Sequence, residues 1–329
     1  MSALTLSAAF GDYDRTRPIV DGRVQIDGVN AICQLLSPEE MFFRAFRHQD
    51  FDICELSMSS YCVSVSRGDN QYIAVPVFLS RTFRHTSIYI RTDRGINTPM
   101  DLKDRRVGIA EYQLTANVWA RAFLEEEGLA PSDIQWVMGG MITPDRPEKI
   151  KLQLPPEVRM ERAPAGATLN QMLLDGDLDG FVGPRALPCF VDGHPSVGWL
   201  YADPQAAAEA YYKRTNIFPI MHVLGVRKEL ANKYPFLPGA LLKAFTEAKT
   251  MALDALLDVS ATKVTLPFVE ESLGRARALM GKDFWSYGLK PNAHVLDTFL
   301  DAHHRQGLSS RRLQPEDLFH PASLETYAL

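Results

Sequence analysis

Three side chains that can carry positive charge, Arg81, Arg84 and His85, lie within five residues of one another. The segment that contains them joins two apolar runs, at 72–79 and 88–90, that are predicted to be strands. Arginine donates paired N–H groups to carboxylate and phosphate, and histidine exchanges protons near neutral pH. The segment is therefore either an anion-binding site with a proton-transferring group or a charged, solvated turn between two strands.

Polar side chains also follow other predicted strands, at the positions where an α/β fold places its ligands. Several such residues in one predicted cleft carry more weight than any one of them alone. A further histidine, His222, lies within an apolar strand. The residues that follow strand ends are Asp12, Tyr13, Arg15, Ser57, Ser59, Ser60, Glu111, Tyr112, Thr115 and Arg185.

Each of these residues also has an ordinary structural interpretation. Asp12 could cap the next helix, and the serines of 57–60 could be helix N-caps. Glu111 could pair with Arg106 at the surface, and Arg185, which follows a Gly-Pro pair, could belong to a simple turn. A histidine in an apolar strand, such as His222, is more often a hydrogen-bonded core residue than a catalyst. The sequence leaves these alternatives open.

Strand-like and helix-like segments alternate along the chain, which predicts an α/β fold with mostly parallel sheets. Ser37, followed by proline and two glutamates, is typical of a helix N-terminus. The apolar spacing after residue 228 predicts a helical C-terminal region. The predicted strands are 4–9, 30–36, 51–56, 72–79, 88–90, 106–110, 133–138, 158–162, 180–182 and 217–226. The predicted helices are 38–47, 116–127, 168–178, 204–213, 237–257 and 264–280.

Two passages predict crossings between lobes: a polar turn sequence at 92–99 and the strand at 217–226. The first lobe is then expected to comprise residues 1–95 and 225–329, including the helical C-terminal region. The second lobe is expected to comprise residues 96–224, with the ligand cleft between the lobes.

Composition excludes several classes of protein. At 329 residues, with 46% hydrophobic and 23% charged residues, the chain is long enough for two domains. The net charge of −5 argues against nucleic acid or an anionic membrane as partner. No apolar run approaches the ~20 residues that span a bilayer, and no basic residue precedes the first strand as it would in a signal peptide. The four cysteines show no CxxC spacing, which favours buried thiols in the cytoplasm.

Metal and nucleotide motifs are absent from the sequence. His303 and His304 are adjacent on a predicted helix, so their side chains point about 100° apart and make a poor metal pair. There is no HExxH motif, Cys-His cluster, GxGxxG motif, P-loop or GxSxG motif. The sequence therefore predicts neither a metal site nor a dinucleotide site.

Four blocks of the sequence resemble those of 4,5-dihydroxyphthalate decarboxylases: GDYDRT at 11–16, FDICELS at 51–57, PVFLSRTFRH at 76–85 and VGIAEYQ at 107–113. The resemblance covers roughly residues 4–226. It implies a type II periplasmic-binding-protein-like fold, in which two α/β lobes joined by two crossing strands close on an anionic ligand. The implied activity is decarboxylation of 4,5-dihydroxyphthalate to protocatechuate and CO₂.

Such a reaction needs a proton donor, because direct loss of CO₂ leaves an aryl carbanion that the ring cannot delocalise. If the carbon that bears the carboxylate is protonated while the para hydroxyl loses its proton, a dienone forms, and loss of CO₂ restores aromaticity. His85 is the first choice for the donor, and His222 is its competitor or the partner of the phenol. Asp12 or Glu111 could act as base or orient a histidine.

The predicted anion clamp consists of Arg81, Arg84 and Arg185. A strong clamp on the leaving carboxylate would stabilise the substrate more than the transition state, because that group becomes neutral CO₂. The arginines are therefore expected to hold the spectator carboxylate. Further substrate contacts are expected from side chains that wall or line the pocket: Tyr13, Phe83, Tyr112, Ser59, Ser60 and Thr115.

The expected partner is a small aromatic carboxylate. No organic cofactor is required, and although the catechol oxygens suit a divalent metal, the sequence supplies no ligand set for one. The choice between monomer and homo-oligomer stays open. Two alternatives remain: a non-catalytic cytoplasmic carboxylate-binding protein of the same fold, or another enzyme on this fold, such as a dehydratase or a pyrimidine-forming enzyme.

Overall fold

The computed structural model describes residues 3–144 and 148–324. Its strands are β1 Leu4–Phe10, β2 Val29–Leu35, β3 Ile53–Ser57, β4 Tyr72–Arg81, β5 Ile88–Arg91, β6 Arg106–Ile109, β7 Gln135–Met138, β8 Met160–Arg162, β9 Gly180–Val182, β10 Val197–Trp199 and β11 Ile220–Arg227. Its α-helices are α1 Arg17–Val20, α2 Pro38–His48, α3 Met58–Arg67, α4 Thr115–Glu126, α5 Leu169–Asp175, α6 Pro188–Val191, α7 Pro204–Thr215, α8 Lys228–Lys233, α9 Leu237–Leu257, α10 Val269–Met280 and α11 Ala293–Arg305.

The chain divides into two compact units. Unit 1 comprises the segment that ends at Arg81, the segment Ile220–Asp297 and the segment that begins at Leu313. Unit 2 comprises Thr82–Pro219 and Thr298–Arg312. The sequence patterns predict both changes of lobe later in the chain than the structure has them, the first after residue 95 and the second before residue 225. The difference arises because β5 and β11 pair fully within the sheets of the units that they enter.

Unit 1 contains a five-stranded sheet in the order β2-β1-β3-β11-β4. β1 is parallel to β2 and β3, whereas β11 is antiparallel to both β3 and β4. All strands except β11 therefore point the same way, and their carboxyl ends meet at one edge of the sheet. The amino end of β11 lies at that edge too, since His222 pairs with Ser57 of β3 and Ser80 of β4.

Unit 2 contains a six-stranded sheet in the order β10-β5-β9-β6-β7-β8. β6 is parallel to β7 and β9, β7 is parallel to β8, and β5 is antiparallel to β9 and β10. The reversed strand in each sheet, β5 or β11, is the first strand after a change of unit. The α/β class is confirmed, and in each sheet all strands but one point the same way.

Local sequence signals account for several element boundaries. The predicted helix after Ser37 is confirmed: the Ser37 hydroxyl accepts a hydrogen bond from the Glu40 N–H. The sequence patterns do not predict α3. This helix begins directly after β3, with Ser57 as its N-cap residue, and ends at Gly68 in the left-handed conformation. The serines of 57–60 are therefore part of a strand-to-helix junction.

The helices bury apolar side chains against the sheets. In unit 1, Phe10 at the end of β1 packs edge-on against Phe245 of α9, with ring centroids 5.6 Å apart. In unit 2, Trp119 and Phe123 of α4 are almost completely buried. Among the described helices, none combines the length and apolar character needed to cross a membrane.

The Tyr61 hydroxyl ties α3 to two other parts of unit 1. It donates a hydrogen bond to the Leu318 carbonyl at 2.5 Å and accepts one from the Ala74 N–H at 3.0 Å. Tyr61→Phe leaves both buried backbone groups unpaired, so we expect the free energy of unfolding to fall by about 2–4 kcal/mol. Chemical denaturation measures this. Tyr234→Phe removes a hydroxyl that makes no hydrogen bond to the described residues, and it should leave stability nearly unchanged.

Candidate active site

A buried carboxylate and a histidine meet at the edge of the unit 1 sheet where the strand ends collect. His222 Nδ1 lies 2.5 Å from Glu55 Oε1. The two residues are diagonal neighbours on adjacent strands, since Glu55 pairs with Leu224 and His222 pairs with Ser57. Glu55 has no exposed surface, and the His222 side chain is 15% exposed. A carboxylate on Nδ1 fixes the orientation and tautomer of an imidazole and leaves Nε2 for chemistry.

Two further donors satisfy the Glu55 carboxylate. The Gly11 N–H donates to Oε2 at 2.9 Å, and the Tyr13 hydroxyl donates to Oε1 at 3.0 Å. Burial by itself raises the pKa of Glu55, but the hydrogen bond and charge of His222 and the bonds from Gly11 and Tyr13 outweigh it and lower that pKa. Glu55 therefore stays ionised and stabilises a protonated His222.

Tyr13 stays a phenol in this arrangement. Burial raises the pKa of its hydroxyl, and the adjacent negative charge of Glu55 raises it further. Gly11 permits the close approach, because a Cβ at this position would overlap the Tyr13 ring. The predicted site residue Tyr13 thus contacts the Glu55–His222 pair directly.

Asp12 lies outside this hydrogen-bonded group. Its side chain is 53% exposed and pairs with Arg17. The carboxylate that orients a histidine in unit 1 is Glu55, which sequence reasoning did not single out. Its signal was an acidic residue between Cys54 and Leu56, within the predicted strand 51–56.

Arg81, Ser59 and Ser60 are buried within unit 1. The Arg81 Nη2 donates to the Ser286 carbonyl at 2.9 Å and to the side chain of Asn292. Arg81 is 5% exposed, and both serines have no exposed surface in the first turn of α3. Arg81 therefore holds the segment after α10 against the end of β4.

His85 lies in an aromatic environment within unit 2. Its ring stacks on Phe123 at 4.5 Å between centroids, and the rings of Tyr201 and Tyr211 approach it edge-on. Together with Arg214 these residues border a cavity of about 300 Å³. Burial, helped by the charge of Arg214, lowers the pKa of His85 to about 4. His85 is therefore a neutral imidazole at pH 7.

The two remaining predicted clamp residues differ in exposure. Arg84 is half-buried, and burial lowers the pKa of its guanidinium to about 10, opposed by the charge of Tyr89. Arg185 is exposed after the end of β9. Their role as an anion clamp stays a prediction.

Glu111 forms a second buried ion pair, within unit 2. Its Oε1 lies 3.0 Å from Lys149 Nζ, and its Oε2 accepts a hydrogen bond from Gln113 Nε2 at 2.7 Å. Both charged side chains are at most 2% exposed. Glu111 is thus not part of a surface pair with Arg106, which pairs with Glu161 instead.

Tyr112 and Thr115 are also buried near Glu111. The Tyr112 ring lies under the guanidinium of Arg121, whose Cζ is 3.7 Å from the ring centroid. Thr115 is the first residue of α4. Neither side chain has more than 4% of its residue surface exposed.

Within residues 3–144 and 148–324, no group of three or more His, Cys, Asp or Glu side chains has a metal-binding arrangement. His303 Nδ1 lies 3.2 Å from the Ser309 hydroxyl, and His304 Nδ1 lies 3.0 Å from the Ser309 carbonyl. Both histidines therefore have structural partners.

Comparison with solved structures defines the class of fold. The alkanesulfonate-binding protein SsuA from Xanthomonas axonopodis pv. citri, bound to MOPS, matches 98% of this chain and 98% of its own, with a TM-score of 0.53 and 13% sequence identity. The chain therefore has a type II periplasmic-binding-protein-like fold. No family model matches the sequence.

Comparison with curated proteins defines the family. A 4,5-dihydroxyphthalate decarboxylase from Comamonas testosteroni is 61% identical over 330 residues, covering 100% of both chains. A 4,5-dihydroxyphthalate decarboxylase from Pseudomonas putida is 60% identical over 214 residues, covering 65% of this chain and 83% of the relative. The chain belongs to the family of 4,5-dihydroxyphthalate decarboxylases.

The depressed pKa of His85 predicts acid sensitivity. The unfolded chain binds a proton at His85 below its ordinary pKa of 6.5, whereas the folded protein binds it only near pH 4. The contribution of the neutral His85 to the free energy of unfolding is therefore complete above pH 6.5. It falls as the pH drops from 6.5 towards 4, by up to about 3 kcal/mol. His85→Phe should remove this part of the loss, as measured by denaturation at pH 7 and pH 4.5. The exposed His48→Asn should keep the wild-type loss, and equal losses in all three proteins would contradict the prediction.

Proposed function

We propose that this protein is a carboxy-lyase that converts 4,5-dihydroxyphthalate to protocatechuate and CO₂, with His222 as the proton donor. Membership of the decarboxylase family supports the substrate and reaction. The single observation that carries the mechanism is the Glu55–His222 pair, a histidine held by a buried, ionised carboxylate.

The reaction begins with transfer of a proton from His222 Nε2 to the ring carbon that bears the leaving carboxylate. The hydroxyl para to that carbon gives up its proton to a base, and the ring becomes a dienone. The electrons of the bond to the carboxylate then return to the ring as CO₂ departs, leaving an aromatic phenolate. The phenolate regains a proton, and His222 is reprotonated from water, so one proton is consumed for each CO₂ released.

Glu55 makes His222 a suitable donor because it stabilises the imidazolium in a protein interior. Without that partner, burial would favour the neutral ring. His85 has no such partner: its Nδ1 makes no hydrogen bond to the described residues, and its pKa of about 4 leaves it neutral at pH 7. Of the two histidines between which the sequence left the choice open, the geometry therefore favours His222.

The scheme uses no organic cofactor. The para hydroxyl lets the ring itself accommodate the electrons during protonation, which is the task that an electron-sink cofactor performs in other decarboxylations. The contribution of the protein is to position the proton donor and to stabilise developing charge.

The proposed reaction is tested directly with the wild-type protein and 4,5-dihydroxyphthalate. We expect stoichiometric release of CO₂ and protocatechuate. In D₂O the product should carry one deuterium at the carbon that lost the carboxylate, as read by NMR. Tight binding without CO₂ release would instead indicate a non-catalytic carboxylate-binding protein.

The roles of the histidine and the carboxylate are tested by substitution. We expect His222→Gln to lower kcat by about 10²- to 10⁴-fold, because the general acid is lost. Glu55→Gln should lower kcat by about 10²-fold, because an uncharged amide no longer stabilises the imidazolium or fixes its tautomer. Steady-state kinetics at several pH values measures both effects.

Matched controls are available for both changes. The exposed residues His48 and Glu229 can be replaced by glutamine, and these variants should keep wild-type kcat. His85→Gln should retain turnover within a few-fold. A large loss in His85→Gln together with normal turnover in His222→Gln would show that the donor is assigned to the wrong histidine.

A further inference from the structure

We propose that Arg15 binds the spectator carboxylate of the substrate, the one that remains in the product. The proposal rests on the decarboxylase function and deepens it. Arg15 follows β1 in unit 1, and it is not among the arginines that sequence reasoning selected for the anion clamp.

The guanidinium of Arg15 is held in place by three contacts. Its Nε donates to the Leu79 carbonyl at 2.7 Å. Its Cζ lies 4.2 Å from the centroid of the Tyr13 ring and 4.4 Å from that of Trp285. The Trp285 ring is itself anchored, because its Nε1 donates to the Phe78 carbonyl at 2.9 Å. A guanidinium fixed in this way loses little conformational entropy when it binds an anion.

The outer donors of Arg15 remain available for a ligand. Nη1 makes one hydrogen bond, to Asp14 Oδ1 at 3.1 Å, and the Asp14 side chain is 50% exposed. Nη2 makes no hydrogen bond to any residue in the described part of the chain. The Arg15 side chain is 16% exposed, so these donors lie in a partly desolvated position. Such a position strengthens a bond to a carboxylate.

Arg15 and the proton-donating pair share one residue. The Tyr13 ring lies beneath the Arg15 guanidinium, while the Tyr13 hydroxyl donates to Glu55. The positive charge of Arg15 also acts on the pKa of Tyr13, against the larger effects of burial and Glu55. The side chain of Tyr13 thus contacts both the Arg15 guanidinium and the Glu55 carboxylate of the Glu55–His222 pair.

Arg81 is less suited to this task than Arg15. Its Nη2 already donates to Ser286 and Asn292, and it is 5% exposed. The assignment of Arg15 to the spectator carboxylate follows from transition-state binding: a clamp on the leaving group would stabilise the charge that the reaction removes. The carboxylate that keeps its charge can be held tightly throughout.

The experiment compares three ligands that differ in their carboxylates. 4,5-Dihydroxyphthalate has both groups, protocatechuate keeps only the spectator group, and catechol has neither. In Arg15→Gln we expect KM for 4,5-dihydroxyphthalate and Kd for protocatechuate to rise by a similar factor, about 10- to 100-fold, since a charge-assisted bond is lost. Binding of catechol and kcat should stay within a few-fold of wild type. Arg23→Gln, which removes an exposed arginine paired with Asp21, should change none of these values.

Two results would overturn the proposal. If Arg15→Gln weakens the binding of 4,5-dihydroxyphthalate but not that of protocatechuate, Arg15 binds the leaving carboxylate. If the variant binds both ligands as tightly as the wild type does, Arg15 does not contact the substrate. A wild-type protein that binds protocatechuate through Arg15 but releases no CO₂ would refute the proposed reaction and leave the binding assignment intact.

A second variant keeps the test decisive if Arg15→Gln fails to fold. Asp14→Asn removes the anion that competes for Nη1, without touching the contacts that anchor Arg15. Protocatechuate should then bind about two- to five-fold more tightly, as measured by calorimetry. Unchanged or weaker binding in Asp14→Asn would count against a carboxylate site at Arg15.

Discussion

Much of the architecture of unit 1 depends on one buried charge, the carboxylate of Glu55. A carboxylate with no exposed surface is strongly destabilising unless charged and hydrogen-bonding groups surround it. Here His222, Tyr13 and the Gly11 N–H supply those groups. Because each donor must lie within hydrogen-bonding distance, the end of β1, the middle of β3 and the start of β11 are held in one arrangement. The proton donor of the proposed reaction is positioned by the same contacts.

The same constraint explains why similar residues in this chain take different roles. His222 has a buried carboxylate beside it, so the proton-bearing form of its ring is stabilised; His85 has aromatic rings beside it, and its pKa falls to about 4. Among the arginines, Arg81 donates through Nη2 to Ser286 and Asn292, whereas Arg15 is anchored through Nε and the two faces of its guanidinium. The identity of a side chain sets what it can do, and its partners decide whether it does so.

The two units each contain a buried acid–base contact, with different consequences. In unit 2, Glu111 is paired with Lys149 and Gln113. Lysine carries its charge on a flexible stem, whereas a histidine held at Nδ1 presents its other ring nitrogen for proton transfer. The Glu55–His222 pair instead contains an imidazole that a buried carboxylate holds at Nδ1, an arrangement suited to a general acid or base. This difference supports the assignment of the proton transfer to the Glu55–His222 pair, while the predicted catalytic role of Glu111 stays a prediction.

The sequence by itself determined the α/β class, most element positions and the presence of polar residues after strand ends, because these depend on local patterns of polarity, caps and turns. Tyr13 was identified in this way, and His222 was identified as a histidine within an apolar strand. Only the tertiary structure decided which of them act together. Glu55 and His222 are 167 residues apart in sequence and meet because β3 and β11 are neighbours. The ion pair of Glu111, the anchoring of Arg81 and the aromatic surroundings of His85 likewise depend on contacts between distant segments. Neither burial nor hydrogen-bond partners, which set the pKa and availability of each group, can be read from local sequence.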